Sequence, residues 1–276
     1  MDLGLTGRVA AIAGGSSGLG LAIARELARE GADVAICGRD PDRLATAVRE
    51  LRAIARGQVL GARVDLQRND EPRRWIDDAA ARLGRLDIAV ANGGGPPLGY
   101  PTAFDIAGYR AAADTVLYPA ISVALAALPH LRARGWGRLL FIASETAVRP
   151  VGDLALSGVF RCALLRFAQG LVAELAASGI TVNVLAPAYI RTPPVERAAA
   201  GLAAQRGTDV ETEVRRMVRH IPLGRIGALE EFAAVAAFLA SERAAFVHGT
   251  VQLVDGGACA AGALPSHAEF DRDAFV

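Results

Sequence analysis

The sequence predicts a single α/β domain built on a parallel sheet with helices on both faces. Three observations predict it. Short apolar runs alternate with helical patterns along most of the 276 residues. Those runs are continuously apolar rather than alternating, as strands covered on both faces require. A glycine-rich turn joins the first run to the first helix, which is the βα start of such folds. A hydrophobic content of 52% with 21% charged residues is enough to bury a large core and excludes intrinsic disorder. No Gly/Ser/Pro-rich boundary and no internal repeat divides the chain, so residues 1–276 read as one domain.

The elements follow in order. Val9–Ala13 is the first strand and Gly18–Glu30 the first helix. Asp33–Cys37 and Pro41–Ala55 repeat the pair, as do Val59–Asp65 and Asn69–Leu83. Strand Asp87–Ala91 leads to a long helix over Ala103–Arg134, strand Arg138–Ala143 to helix Leu154–Ser178, and strand Thr181–Ala186 ends the regular part. Arg191–His220, with Pro193 and Pro194 at its start and an Ala/Arg-rich stretch, reads as a lid inserted between core elements. Helix Ala228–Ala240 and strand Thr250–Val254 return to the core, and the tail from Ala258 has no assignment.

Composition narrows the function classes. Net charge is +1 with no block of like charges, which argues against nucleic-acid binding. The N-terminus lacks a signal-peptide pattern. Apolar stretches such as Ala120 to Leu128 fall short of the ~20 residues that span a bilayer, so a cytoplasmic protein without a membrane partner is expected. Cys37, Cys162 and Cys259 are too scattered for a disulfide framework or a metal cluster and read as buried thiols. His130 and His220 have no metal-ligand spacing and read as surface or helix-end residues, so no metal is expected. All 30 basic residues are arginine, which leaves no lysine for a Schiff base or a catalytic ammonium group.

The first turn reads Ala13-Gly14-Gly15-Ser16-Ser17-Gly18-Leu19-Gly20. Between a strand and a helix, these glycines permit a tight turn and close approach of backbone to a pyrophosphate. The helix N-terminus adds free N–H groups and the positive end of its dipole. Gly14, Ser16, Ser17, Gly18, Leu19 and Gly20 are therefore the candidate phosphate-binding residues of a Rossmann-type, doubly wound fold.

The Gly-x-x-x-Gly-x-Gly spacing resembles the short-chain dehydrogenase/reductase family, in particular its 3-oxoacyl-(acyl carrier protein) reductase-like members. The resemblance runs to about Gly257. It is carried further by Ala91-Asn92-Gly93-Gly94, where the family has Asn-Asn-Ala-Gly, and by Gly179-Ile180-Thr181-Val182-Asn183. Pro187-Ala188-Tyr189-Ile190-Arg191-Thr192, Pro222-Leu223-Gly224-Arg225 and Val254-Asp255-Gly256-Gly257 add to it. The resemblance implies that Asp65 and Leu66 lie at the adenine and that Asn92, Gly93, Gly94, Ile190 and Thr192 lie along the cofactor. It also implies that long helices pair between subunits of a homodimer or homotetramer. The second strand ends in Cys37-Gly38-Arg39-Asp40. NAD binders place a carboxylate at that end and NADP binders an arginine, so Arg39 points to NADP(H) over NAD(H), with Asp40 capping the helix that begins at Pro41.

The catalytic positions depart from the family pattern of Asn, Ser, Tyr and Lys. The serine is Ser144, the tyrosine position holds Ser157, the lysine position holds Arg161, and the asparagine position falls on Val116. The string Leu156-Ser157-Gly158-Val159-Phe160-Arg161 looks like an atypical branch that carries Ser and Arg here. Serine is a far weaker acid than a phenol, and Arg161 keeps a positive charge and donates to ribose without shuttling protons. Losing general acid–base catalysis forfeits ~10²–10⁴-fold, about 3–5 kcal/mol, against about 7–11 kcal/mol available from positioning. Tyr189, in the loop that faces nicotinamide, is the substitute proton donor. Glu145, Asp153 and Tyr118 read as structural or surface residues.

The expected activity is NADP(H)-dependent reduction of a carbonyl or polarised double bond in a small hydrophobic or acyl-type substrate. Two alternatives stand beside it. One is a redox-neutral lyase, isomerase or cyclase with the cofactor structural or absent. The other is a non-catalytic binding protein.

Overall fold

Every apolar run named above forms a strand in the computed structural model, which describes residues 2–68 and 70–260. They are β1 (Val9–Ile12), β2 (Asp33–Gly38), β3 (Val59–Arg63), β4 (Ile88–Asn92), β5 (Gly137–Ile142), β6 (Ile180–Pro187) and β7 (Val251–Val254). They pair in parallel in one seven-stranded sheet of order β3-β2-β1-β4-β5-β6-β7. The chain runs outward from β1 to β3 and then crosses back to β4, so the order reverses between β1 and β4. Ligands of open α/β sheets bind at the carboxyl ends of the strands at such a reversal.

The helices divide between the two faces. On one side α1 (Gly18–Arg29), α2 (Pro41–Ile54) and α9 (Leu229–Ala240) pack with Ile12, Ile36, Val90 and Leu140. On the other α3 (Glu71–Leu83), α5 (Tyr118–Arg134) and α6 (Ala155–Leu175) pack with Ala11, Ala89, Leu139 and Val184. The doubly wound α/β fold expected from the sequence is therefore present. The central strands β1 and β5 are buried throughout, whereas the edge strand β3 alternates, because one side of an edge meets solvent.

Three elements differ from the expectation. The helix expected over Ala103–Arg134 is a short turn at Pro101–Ala103 and then an unbroken helical run from Ile106. Asp105 starts that run by accepting a hydrogen bond from Gly108 N at 2.8 Å. The run comprises α4 (Ile106–Ala112), a π turn over Ala113–Leu117, and α5. The helix expected from Asn69 begins at Glu71, and Asn69 lies outside the described residues. The segment expected as a lid folds into α7 (Pro193–Arg206) and α8 (Val210–Met217). Residues 261–276 of the unassigned tail lie outside the described residues.

On two points of composition the structure adds detail, and on the thiols it corrects the expectation. Ile106–Arg134 and Ala155–Leu175 are long and apolar enough to cross a membrane by length and composition, which the short apolar runs had argued against. Here both cover one face of the sheet. Of the three thiols only Cys37 is buried, its pKa pushed up to about 12 by that burial; Cys162 is exposed and Cys259 half-buried.

At the opposite, amino end of the strands lies a cavity of about 450 Å³ lined by Asp2, Arg8, Arg85 and Glu242. It belongs to a network around Asp87. That fully buried side chain accepts from Val9 N and from Arg85 at 2.6 and 2.7 Å. The Trp136 ring lies between the guanidinium groups of Arg8 and Arg138, at 3.8 and 4.1 Å.

Candidate active site

The glycine loop is shaped by what each missing side chain would strike. Gly14 and Gly18 have φ of +62° and +55°, in the left-handed region. A Cβ on Gly15 would lie 2.7 Å from Ile36, and one on Gly20 would overlap the Gly14 carbonyl. Ser17, at the N-cap of α1, is extended and makes no side-chain cap bond. The first turn of α1 therefore keeps its backbone donors for an anionic ligand. Asn92 Nδ2 donates to the Ala13 carbonyl at 3.3 Å and ties the end of β4 to this loop. Thr192 stands opposite, its Cγ2 3.9 Å from where a Gly18 Cβ would be. The glycine loop, the end of β4 and the N-terminus of α7 thus meet around one cleft, and a nicotinamide dinucleotide fits the donors it presents.

The end of β2 sets the charge at one rim. A Cβ on Gly38 would overlap the Ser16 hydroxyl, so that position holds no carboxylate. Arg39 is exposed. Asp40 caps α2 as expected, accepting from Asp42 N and Arg43 N at 3.1 and 2.9 Å. Asp65 and Leu66 follow β3, half-buried; the Asp65 carboxylate accepts from Gln67 N at 3.2 Å and thereby shapes its own turn.

The π turn brings a further element in. Gly94 N donates to the Thr115 carbonyl at 2.9 Å, and a Cβ on Gly93 would lie 2.5 Å from the Val116 carbonyl. The Val116 side chain is fully buried in the core. At the position where the resemblance places asparagine, this chain offers a backbone oxygen. Single π turns often sit at functional sites.

Ser144 ends the strand region of β5 and starts a short 3₁₀ turn over Glu145–Ala147, where its Oγ accepts from Thr146 N at 3.2 Å. Ser157 and Arg161 lie one turn apart on α6. The Ser157 hydroxyl is buried against Thr146 Oγ1 at 3.0 Å. Arg161 is buried, with Nη1 donating to the Ile142 carbonyl at 2.6 Å and Nη2 to the Gly94 carbonyl at 2.9 Å. It clamps the ends of β4 and β5 together. Burial lowers its pKa to about 10, which still leaves a full positive charge at neutral pH. Ser144, Ser157 and Arg161 thus gather around the same two strand ends. Thr146, which links the two serines, has no local signal beyond its place in the polar run Ser144-Glu145-Thr146.

Glu145, read from the sequence as structural or surface, is buried and paired with Arg149 at 2.6 Å. Asp153 and Tyr118 are exposed. Tyr189 is half-buried, its ring edge-on to His220 with centroids 5.9 Å apart. Burial raises the phenol pKa, and the nearby charges of Asp153 and Glu145 add to the effect. Ile190, buried, bridges to Gly227, which lies between α8 and α9. Behind Tyr189 and Ile190 lies a cavity of about 210 Å³ walled by Ile221, Leu223, Leu253 and Val254. Arginines of segment 191–220 pair within that segment: Arg191 with Glu211 at 2.9 Å, and Arg206 and Arg216 with the buried Glu213.

A protein-family model described as Enoyl-(Acyl carrier protein) reductase matches residues 13–259. The 4-formylbenzenesulfonate dehydrogenase of Comamonas testosteroni is 34% identical over 261 residues, covering 92% of this chain and 99% of that one. The cis-4-hydroxycyclohexanecarboxylate dehydrogenase of Sinomonas cyclohexanicum is 34% identical over 253 residues, with 91% and 96% covered. Among solved structures, the L-sorbose reductase of Gluconobacter frateurii, complexed with NADPH and L-sorbose, superposes with a TM-score of 0.89. It shares 32% identity, with 93% of this chain and 98% of that one covered. With its doubly wound sheet, its glycine loop and relatives along almost its whole length, the chain belongs to the short-chain dehydrogenase/reductase family and is an oxidoreductase of that type.

Proposed function

We propose that the protein is an NADP(H)-dependent reductase of a carbonyl or polarised double bond, working with Ser157 and Arg161 where the family has Tyr and Lys. One observation carries the cofactor choice. At the end of β2 the strand-end position is closed by Ser16 against Gly38, the next residue is the exposed Arg39, and Asp40 is spent on the cap of α2. That charge layout suits a 2′-phosphate and not a free ribose diol.

A nicotinamide held in this cleft would supply the hydride. Ser144, whose oxygen already accepts from Thr146 N, keeps its O–H to donate to the substrate oxygen. Arg161 holds a fixed positive charge beside the strand ends and does not exchange its proton. Tyr189 donates the proton that completes reduction at oxygen. The substrate is small and hydrophobic or acyl-type; Ile221, Leu223, Leu253 and Val254 offer it apolar contacts beside the charged Arg225, Glu231 and Asp255. Segment 191–220 acts as its lid, and a homodimer or homotetramer forms through the outward faces of α5 and α6.

A titration with NADPH and NADH tests the reading. NADPH binds more tightly, and Arg39→Ala loses about tenfold or more of that affinity, the worth of a charge-assisted contact to phosphate. A carbonyl screen with Ser144→Ala, Arg161→Ala and Tyr189→Phe follows. Failure of both nucleotides to bind at millimolar concentration overturns the proposal. A redox-neutral reaction is the second reading. It is favoured by the Ser157 hydroxyl, which is turned into the protein against Thr146. NADPH binding without oxidation across the screen would select it.

A further inference from the structure

One more side chain reaches the end of β2. We infer that Arg63 is a specificity-determining residue that joins Arg39 and Ser16 in holding the nucleotide's 2′-phosphate; the inference rests on the NADP(H) reading. Gly38 and Arg63 are the last residues of β2 and β3, and they are direct partners in the strand register. Val64 N donates to the Gly38 carbonyl at 3.1 Å and holds the two ends together at the carboxyl edge of the sheet. The Nε of Arg63 donates to the Arg39 carbonyl at 3.3 Å. That bond draws the guanidinium across the strand ends toward Arg39.

The local charge is uncompensated. Arg39 and Arg63 are both exposed, and neither is in an ion pair among the described residues. The carboxylates nearest in sequence are engaged elsewhere: Asp40 Oδ1 accepts from Asp42 N and Arg43 N and its Oδ2 pairs with Arg43 Nη2 at 3.1 Å, while Asp65 accepts from Gln67 N at 3.2 Å and lies 3.9 Å from Arg68. The Arg63 guanidinium therefore lies at the Arg39 backbone, next to Gly38, where the Ser16 hydroxyl occupies the space a Cβ would take. A ribose diol brings no charge to such a strand end. A phosphate monoester brings a dianion and oxygens that planar guanidinium forks bind in pairs. An arginine placed on an edge strand only to discourage strand pairing would not distinguish the two.

The test uses adenosine 2′,5′-bisphosphate and ADP as probes, titrated by calorimetry into the whole protein, so that no turnover is needed. The wild type prefers the bisphosphate. Arg63→Gln weakens the bisphosphate about tenfold and leaves ADP within about twofold, as loss of one charge-assisted phosphate contact requires. Arg63→Lys, which restores the charge without the fork, recovers part of the loss. Equal weakening of both probes would make Arg63 a structural residue of the strand end and overturn the inference. So would an unchanged bisphosphate affinity. A wild type that does not discriminate between the probes overturns the NADP(H) reading as well, so the two failures are distinguishable.

Discussion

The phenol of Tyr189 stays protonated well into the alkaline range, because burial first, and then the negative charges of Asp153 and Glu145, disfavour phenolate. A phenol of this kind serves reduction, which needs a donor, better than oxidation, which needs a base. The sign is definite. The raised pKa keeps the acid form present throughout neutral pH, and it is lost only as pH rises through the raised value. Reduction by the wild type is therefore expected to hold level across neutral pH and to fall only above the ordinary phenol value of ~10. Tyr189→Phe should lose about 10²-fold in kcat together with that alkaline limb, with NADPH affinity kept. A variant that keeps both rate and limb would remove Tyr189 from the reaction. At this scale legibility followed locality. The glycine loop and the Ser157/Arg161 replacements are read by counting along the chain. Thr146 against Ser157 and Arg63 across Arg39 are contacts between segments far apart in sequence, and no periodicity or spacing encodes them.

Helices and strands were legible where apolar period and cap chemistry agree. Pro41 after Asp40 marks the start of α2, and the structure places the cap there. The π turn over Ala113–Leu117 was not legible, because inserting one residue into a helical turn leaves the composition unchanged and shows only in which carbonyls face Gly93 and Gly94. The amino ends of β1, β4 and β5 depend on a different device. The Asp87 side chain receives Val9 N and both Arg85 donors, while its backbone carbonyl accepts from Arg138 N. Removing Asp87 takes the buried acceptor from Val9 N and from Arg85, a loss on the scale of the about 3–5 kcal/mol that breaking a buried pair costs. Asp87→Ala is expected to lower the free energy of urea unfolding by about that amount. Nucleotide affinity of the folded protein should persist, because the cleft lies at the other end of the strands. A loss under ~1 kcal/mol, the worth of an exposed pair, would mean that the arginines find water or Glu242 instead.

Across the whole molecule the two sheet faces are covered alike, yet their outer surfaces differ. The helices α5 and α6 cover the same face, and among the described residues the helical run Ile106–Arg134 and α6 are long and apolar enough to span a membrane. Their outward sides expose Tyr118 and Leu125, each at 53%, and Val159 at 49%, beside the small residues Ala163 and Gly170. Small residues let helices of two chains approach closely, and a contact of ~1,200–2,000 Å² suffices for a stable pair. A second copy of the chain, as proposed above, would cover this surface without a bilayer. Light scattering on the purified protein is expected to give two or four chains. Leu125→Glu combined with Val159→Glu should shift the population toward smaller species, because each carboxylate loses its water on association. The substitutions lie on the outer face, so the cleft keeps its geometry and nucleotide binding survives. A wild type that runs as a monomer and sediments with phospholipid vesicles would reverse the assignment and make the same two helices a membrane-facing surface.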